Sequence, residues 1–187
     1  MYESPNRAAG LDFTEFVLAW LEGKTAPSLC STLFRTEPLR EIGMRSRHDL
    51  WSDVMSELPI AARHGRVDVA DVKATFRMHS GAITVGVDIA RWCEDSQDLL
   101  ELVCRLAPQD AERLRSRLVP FLATFNYRNA IRLSRPWPQR LAACVTVGRH
   151  FGRPPSGGDL LREALKQTRW LEDLRRAKQV LSRLRGG

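Results

Sequence analysis

The chain has 187 residues, of which 43% are hydrophobic, and a formal net charge of +7. This length and hydrophobic content are enough for one helical domain with a core. It contains no apolar run of about 18 residues, and its first ten residues lack the apolar segment of a signal peptide, so we expect a cytoplasmic protein without a membrane span. None of its four cysteines form a C-x-x-C pair or stand at zinc-ligand spacing with a histidine, so we expect no disulfide, metal or other cofactor.

Capping residues and helical spacing predict the first elements. Asp12, with Glu15 three residues later, opens a helix that Gly23 ends. A short helix is predicted from Pro27 or Ser28 through Phe34. Another is predicted from Asp49, with Pro59 bending or ending it and with an inward face of Leu50, Val54 and Leu58.

The middle of the chain gives a mixed signal. The segment "SGAITVGVDIARW" contains β-branched residues typical of a strand, but Ile89 and Trp92 continue a helical stripe, which favours a helix. Ser96 is predicted to cap the next helix, and Pro108 suits the first turn of the one after it.

The second half reads as long helices. We predict a helix over 109–133, kinked at Pro120, and a second over 138–147. A loop, "GRHFGRPPSGG", then leads to a last amphipathic helix from Asp159. The predicted class is all-α, a bundle of about seven or eight helices, because no useful alternating run of period two occurs. The apolar side of the first of these helices consists of Leu114, Leu118, Phe121, Leu122 and Phe125.

The charge distribution is the feature that bears most on function. Residues 113–158 contain nine arginines and no lysine, aspartate or glutamate. Residues 1–104 carry 11 basic and 16 acidic side chains, and residues 105–187 carry 18 and 6. The halves therefore have charges of −5 and +12, which predicts either one domain over 1–187 or an acidic lobe (1–104) and a basic lobe (105–187). A basic surface without interleaved acids lacks internal counterions and is open to a polyanion.

At about 100° per residue, six positions fall on one face of the long helix: Arg113, Arg117, Thr124, Arg128, Arg132 and Arg135. A solvated helix face usually mixes both signs of charge, so this face favours binding of phosphates. Arg149 and Arg153 flank the predicted loop, where His150 and Phe151 offer rings for stacking on a base, although an ordinary connection between helices explains that loop equally well. The candidate nucleic-acid-binding residues are Arg113, Arg117, Arg128, Arg132, Arg135, Arg140, Arg149 and Arg153.

Two further features have plainer explanations. Trp137, between two prolines, is more typical of a core residue than of a base-stacking platform. The segment "HDLWSD" brings His48, Asp49 and Asp53 together, but helix capping accounts for Asp49. Phosphate-loop, dinucleotide-binding and nucleophile-elbow motifs are missing from the sequence, so we expect no enzyme activity.

A helix-turn-helix DNA-binding regulator is an alternative function. It would use the segment 67–92, whose three basic and three acidic residues disfavour insertion into a major groove. A protein–protein adaptor, whose basic half meets an acidic partner protein, is another alternative.

The segments "FTEFVLAWLEG", "EPLREIG" and "HDLWSDVM", followed by basic helices, resemble the small subunit of multi-protein CRISPR effector complexes. The resemblance covers about the first two-thirds of the chain in outline. It implies a non-catalytic subunit, present in several copies in a ribonucleoprotein complex, that contacts guide RNA, a guide–target duplex or displaced single-stranded DNA through arginines. Independently, the opposite charges of the two halves predict head-to-tail self-association between copies.

Overall fold

The computed structural model describes residues 10–25, 27–28, 31–44, 46–67, 87–133 and 137–154. The described residues form six α-helices and no β-strand, which confirms the all-α class. None of these helices is long and apolar enough to cross a membrane. The helices are α1 (Phe13–Leu21), α2 (Thr36–Ile42), α3 (Ser52–His64), α4 (Ile89–Leu106), α5 (Ala111–Leu133) and α6 (Trp137–Phe151), with a 3-10 turn at Pro108–Asp110 before α5.

The chain divides into two compact units, Met1–Leu122 and Ala123–Gly187. Helix α5 begins in the first unit and ends in the second. The acidic and basic lobes expected over 1–104 and 105–187 were drawn from charge and not from packing, and they stay a prediction.

Helix α1 is confirmed in detail. The carboxylate of Asp12 accepts a hydrogen bond from the backbone N–H of Glu15 at 2.8 Å, which satisfies a donor that the first turn leaves open. Gly23 follows the helix with φ of 73°, a left-handed conformation that glycine adopts without a steric penalty. Phe16 and Val17 are fully buried.

The short helix predicted through Phe34 is wrong at its end. The backbone N–H of Ser31 and the hydroxyl of Thr32 both donate to the carbonyl of Ser28, closing a local turn, and residues 32–35 are not helical. Helix α2, which was not predicted, begins at Thr36 and accepts Pro38 because the N–H groups of the first turn have no partner within the helix.

Helix α3 begins three residues later than predicted. Asp49 has φ of 59°, so it cannot belong to a right-handed helix, and its carboxylate accepts from the hydroxyl of Ser52. Pro59 does not end the helix, which runs on to His64. The predicted inward face is confirmed, since Leu50, Val54 and Leu58 are all buried.

Ser96 does not cap a helix, because it lies in the middle of α4. The cap is Asp88, whose carboxylate accepts from the N–H of Ala90 at 3.1 Å. The buried Ser96 hydroxyl donates to the carbonyl of Trp92 at 2.7 Å and accepts from the indole N–H of Trp51 at 3.0 Å. Serine is common at helix caps, but its hydroxyl can also donate within a helix to the carbonyl four residues earlier, as Ser96 does.

Aromatic rings join the helices of the first unit. The ring of Trp51 meets those of Trp20 and Trp92 edge-on, with centroids 6.2 and 6.1 Å apart. Trp20 also meets Phe121 of α5 at 5.3 Å. Edge-to-face pairs at such distances add stabilisation to their burial, so this cluster fixes α1 against α5.

Among the described cysteines, Cys93 and Cys104 are buried, as expected of small apolar side chains. Burial, reinforced by the carboxylates of Asp88 and Glu94, raises the pKa of the Cys93 thiol to about 12.

Only the thiolate reacts with alkylating agents, and its share rises tenfold per pH unit below the pKa. We expect Cys93 to stay unmodified by iodoacetamide at pH 8 in the native protein and to react after denaturation, as read by peptide mass spectrometry. Modification of native Cys93 at the rate of an ordinary exposed thiol would contradict this.

Candidate nucleic-acid interface

The arginines of the α5 face predicted to bind phosphates are exposed wherever the structure describes them. Arg113, Arg117, Arg128 and Arg132 are exposed and Thr124 is half-buried. The opposite face is fully buried at Leu114, Leu118 and Leu122. Arg135, the last member of the predicted set on this helix, lies outside the described residues.

Carboxylates from α1 meet the first two of these arginines. Arg113 Nη2 lies 2.8 Å from Glu15 Oε1, and Arg117 Nη2 lies 3.8 Å from Oε1 of Glu22, which follows α1. The expectation that this surface has no internal counterions is therefore wrong for these two residues. Its acids come from a distant part of the chain.

Phe121 explains why α1 lies over this part of α5. Phe121 belongs to the predicted apolar side of α5, yet it follows Arg113 by eight residues. The two side chains are therefore only about 80° apart around the helix. Phe121 packs against Trp20 of α1. Just before α5, the hydroxyl of Thr14 in α1 donates to the carboxylate of Asp110 at 2.8 Å. In the first unit, the arginine face is thus partly a helix–helix interface.

A groove of about 440 Å³ runs between α1 and α5 in the first unit. Its charges have both signs, since Glu22 pairs with Lys24 at 2.5 Å and also faces Arg117. The hydrogen bond and charge of Lys24, followed by the charge of Arg117, lower the pKa of Glu22. The carboxylate therefore stays ionised at neutral pH and offsets the positive charge there. The lining residues are Leu11, Glu15, Leu18, Ala19, Glu22, Lys24, Arg113, Ser116 and Arg117.

The second unit is different, because residues 123–158 contain no aspartate or glutamate. Arg128 and Arg132 lie on the last turns of α5, where both are exposed. On α6, Arg149 is exposed and Arg140 is half-buried, and Arg153 is exposed beyond the end of the helix. These five described arginines have no carboxylate in the same stretch of chain to offset them.

The predicted loop that begins at Gly148 is shorter than expected. Arg149, His150 and Phe151 belong to α6, and Phe151 is buried, with 9% of its surface exposed. The hydroxyl of Tyr127 donates to the carbonyl of Arg153 at 2.6 Å, which ties the chain after α6 to α5. The prediction of a loop is therefore wrong for 148–151.

Trp137 is not a core residue, contrary to prediction. It opens α6 with 67% of its surface exposed, while Ala143, Val147 and Phe151 form the buried face of this helix. Leu141 and Val145, four and eight residues after Trp137, are each 53% exposed. We call Trp137, Leu141 and Val145 the α6 ridge. Pattern alone could not distinguish this ridge from a core stripe, because both have helical spacing.

No family model, curated protein or solved structure matches this chain. In the part of the chain that the structure describes, no three His, Cys, Asp or Glu side chains come together as metal ligands. The segment 68–86, which carries most of the alternative helix-turn-helix, and the last predicted helix from Asp159 lie outside the described residues.

Proposed function

We propose that the protein is a non-catalytic nucleic-acid-binding subunit that contacts the phosphate backbone through the arginines of its second unit. The observation that carries this proposal is the set of five described arginines in a stretch, 123–158, with no acidic residue. Guanidinium groups bind phosphate through paired hydrogen bonds and remain charged at any physiological pH. A stretch of chain whose charged side chains are all basic attracts a polyanion and supplies no carboxylate of its own to compete with it.

The groups that we assign to phosphate contacts are Arg128, Arg132, Arg140, Arg149 and Arg153, with Arg135 as their predicted companion. Arg113 and Arg117 have a smaller role in this proposal, because Glu15 and Glu22 already lie beside them and offset part of their charge. A polyanion would have to displace those carboxylates before it gained a contact.

We further propose that several copies act together in a ribonucleoprotein complex, as the resemblance to CRISPR effector small subunits implies. The charges of −5 over 1–104 and +12 over 105–187 support head-to-tail contact, since the acidic half of one copy attracts the basic half of the next. Positive charge remains in excess for RNA or single-stranded DNA.

Salt dependence tests the phosphate contacts. Four to six contacts release a similar number of counterions, so log Kd should rise with log salt concentration with a slope of about 3 to 5. Fluorescence anisotropy with a labelled oligonucleotide across roughly 50 to 300 mM salt measures this slope. An affinity that does not change with salt would exclude the proposed phosphate contacts.

Strand length tests assembly. Each copy holds only a short run of phosphates, and neighbouring copies on one strand reinforce each other as linked sites do. We expect the mass of the complex, measured by light scattering, to rise in steps of one protomer as the oligonucleotide lengthens. One protein per strand at every length would reject the multi-copy proposal while leaving phosphate binding intact.

A further inference from the structure

The α6 ridge is an exposed apolar surface that is separate from the buried face of the same helix. Trp137, Leu141 and Val145 follow one another in steps of four and keep 67%, 53% and 53% of their surface exposed. Residues at this spacing line up on one side of a helix, over about 12 Å for eight residues. Contiguous apolar surface of this kind on a folded protein marks a site of interaction more often than scattered single residues do.

We propose that the α6 ridge docks an acidic amphipathic helix of a partner protein. A helix that presents apolar residues in steps of three and four is the shape that such a ridge complements. A base can stack on Trp137, but phosphate and ribose offer little apolar surface for Leu141 and Val145. Those two side chains gain from leaving water only when an apolar partner covers them.

Charge decides which partner helix fits. Arg149 is exposed and continues the steps of four beyond Val145, in a stretch that contains no acidic residue. Two α6 helices paired face to face would bring together two stretches whose charged side chains are all basic and repel each other. A helix with glutamates beside its apolar stripe would instead pair with Arg149 while its leucines cover the ridge, and it would compete with nucleic acid for that one arginine.

The probe is a synthetic helical peptide with leucines in steps of three and four and glutamates at the flanking positions. A shuffled peptide of the same composition separates helical pattern from charge, and a third peptide with lysine for glutamate tests the sign of that charge. We expect the full chain to bind the patterned acidic peptide at least tenfold more tightly than either control, as measured by calorimetry.

The variant Trp137→Gln with Leu141→Gln removes most of the ridge and keeps residues compatible with a helix. It should lower affinity for the acidic peptide at least tenfold. Leu33→Gln is the matched control, because Leu33 is likewise an exposed apolar side chain, at 102%, and lies in the first unit. It should leave peptide affinity unchanged. Glutamine at Arg128 and Arg132 should spare peptide binding within about threefold, on the same additivity that holds for separate sites, whatever it does to nucleic acid.

Four results would overturn the proposal. Equal binding of the shuffled peptide would mean that charge alone attracts it. A ridge variant that loses oligonucleotide affinity but keeps peptide affinity would make Trp137 a base-stacking residue. A protein whose mass in solution falls from dimer to monomer on ridge substitution would make a second copy the occupant. A marked fall in melting temperature of the ridge variant, relative to Leu33→Gln, would mean that this chain itself covers the ridge.

Discussion

Replacing Arg128 and Arg132 together by glutamine is expected to weaken oligonucleotide binding about 100-fold at low salt. A charge-assisted hydrogen bond contributes about 1.5 kcal/mol or more, so two lost contacts cost about 3 kcal/mol. Both side chains are exposed on α5, and glutamine is a good helix former, so folding should be unaffected. Anisotropy titration of the purified variant, with circular dichroism as a check of helicity, measures the effect.

Arg113→Gln with Arg117→Gln is the matched control on the same helix. It removes the same charge, but from guanidinium groups that already contact Glu15 and Glu22. We expect affinity to fall by no more than about threefold, since such groups lose a carboxylate contact for each phosphate contact they gain. Equal losses in the two double variants would show that the whole arginine face acts as a unit, as the sequence alone predicts, and that α1 gives up its ion pairs to nucleic acid.

The long helices were predictable from the sequence because their signals are local. Apolar residues recur every three or four positions along α5, and the predicted start at 109 lies two residues from the observed start at Ala111. Asp12 and Glu15 likewise identify the start of α1 from four neighbouring residues. Capping and periodicity need no knowledge of the rest of the fold.

The counterions of the arginine face could not be predicted in this way. Glu15 and Arg113 are 98 residues apart in sequence, so a count of charges within 113–158 cannot detect their contact. The one sequence signal for this contact was Phe121 on the arginine face of α5. A large aromatic residue on a helix face indicates that another element packs there. Trp137 is the opposite case, a large aromatic residue that is exposed. Its burial depends on which face of α6 packs against the rest of the fold, and the local sequence does not reveal that face.

The buried carboxylate of Asp95 in α4 has a structural role that the sequence did not indicate. Asp95 is fully buried and accepts hydrogen bonds from the hydroxyl of Ser46 at 2.8 Å and from the backbone N–H groups of His48 and Leu50 at 3.0 and 3.1 Å. It thereby holds the segment before α3 against α4, next to the contact between Trp51 and Ser96. In the sequence it is only one of several acids in a helical stretch.

We expect Asp95→Asn to lower the free energy of unfolding by about 3 kcal/mol, as measured by urea denaturation. Asparagine has one acceptor oxygen where aspartate has two, and its NH2 group would face other donors, which leaves buried N–H groups unsatisfied. Asp98→Asn is the matched control one turn further along α4. It should cost less than about 1 kcal/mol, because Asp98 pairs at 2.8 Å with Arg47, whose side chain is 54% exposed. If the two substitutions cost the same, the hydrogen bonds to Asp95 do not stabilise the segment, and the aromatic cluster around Trp51 must hold it alone.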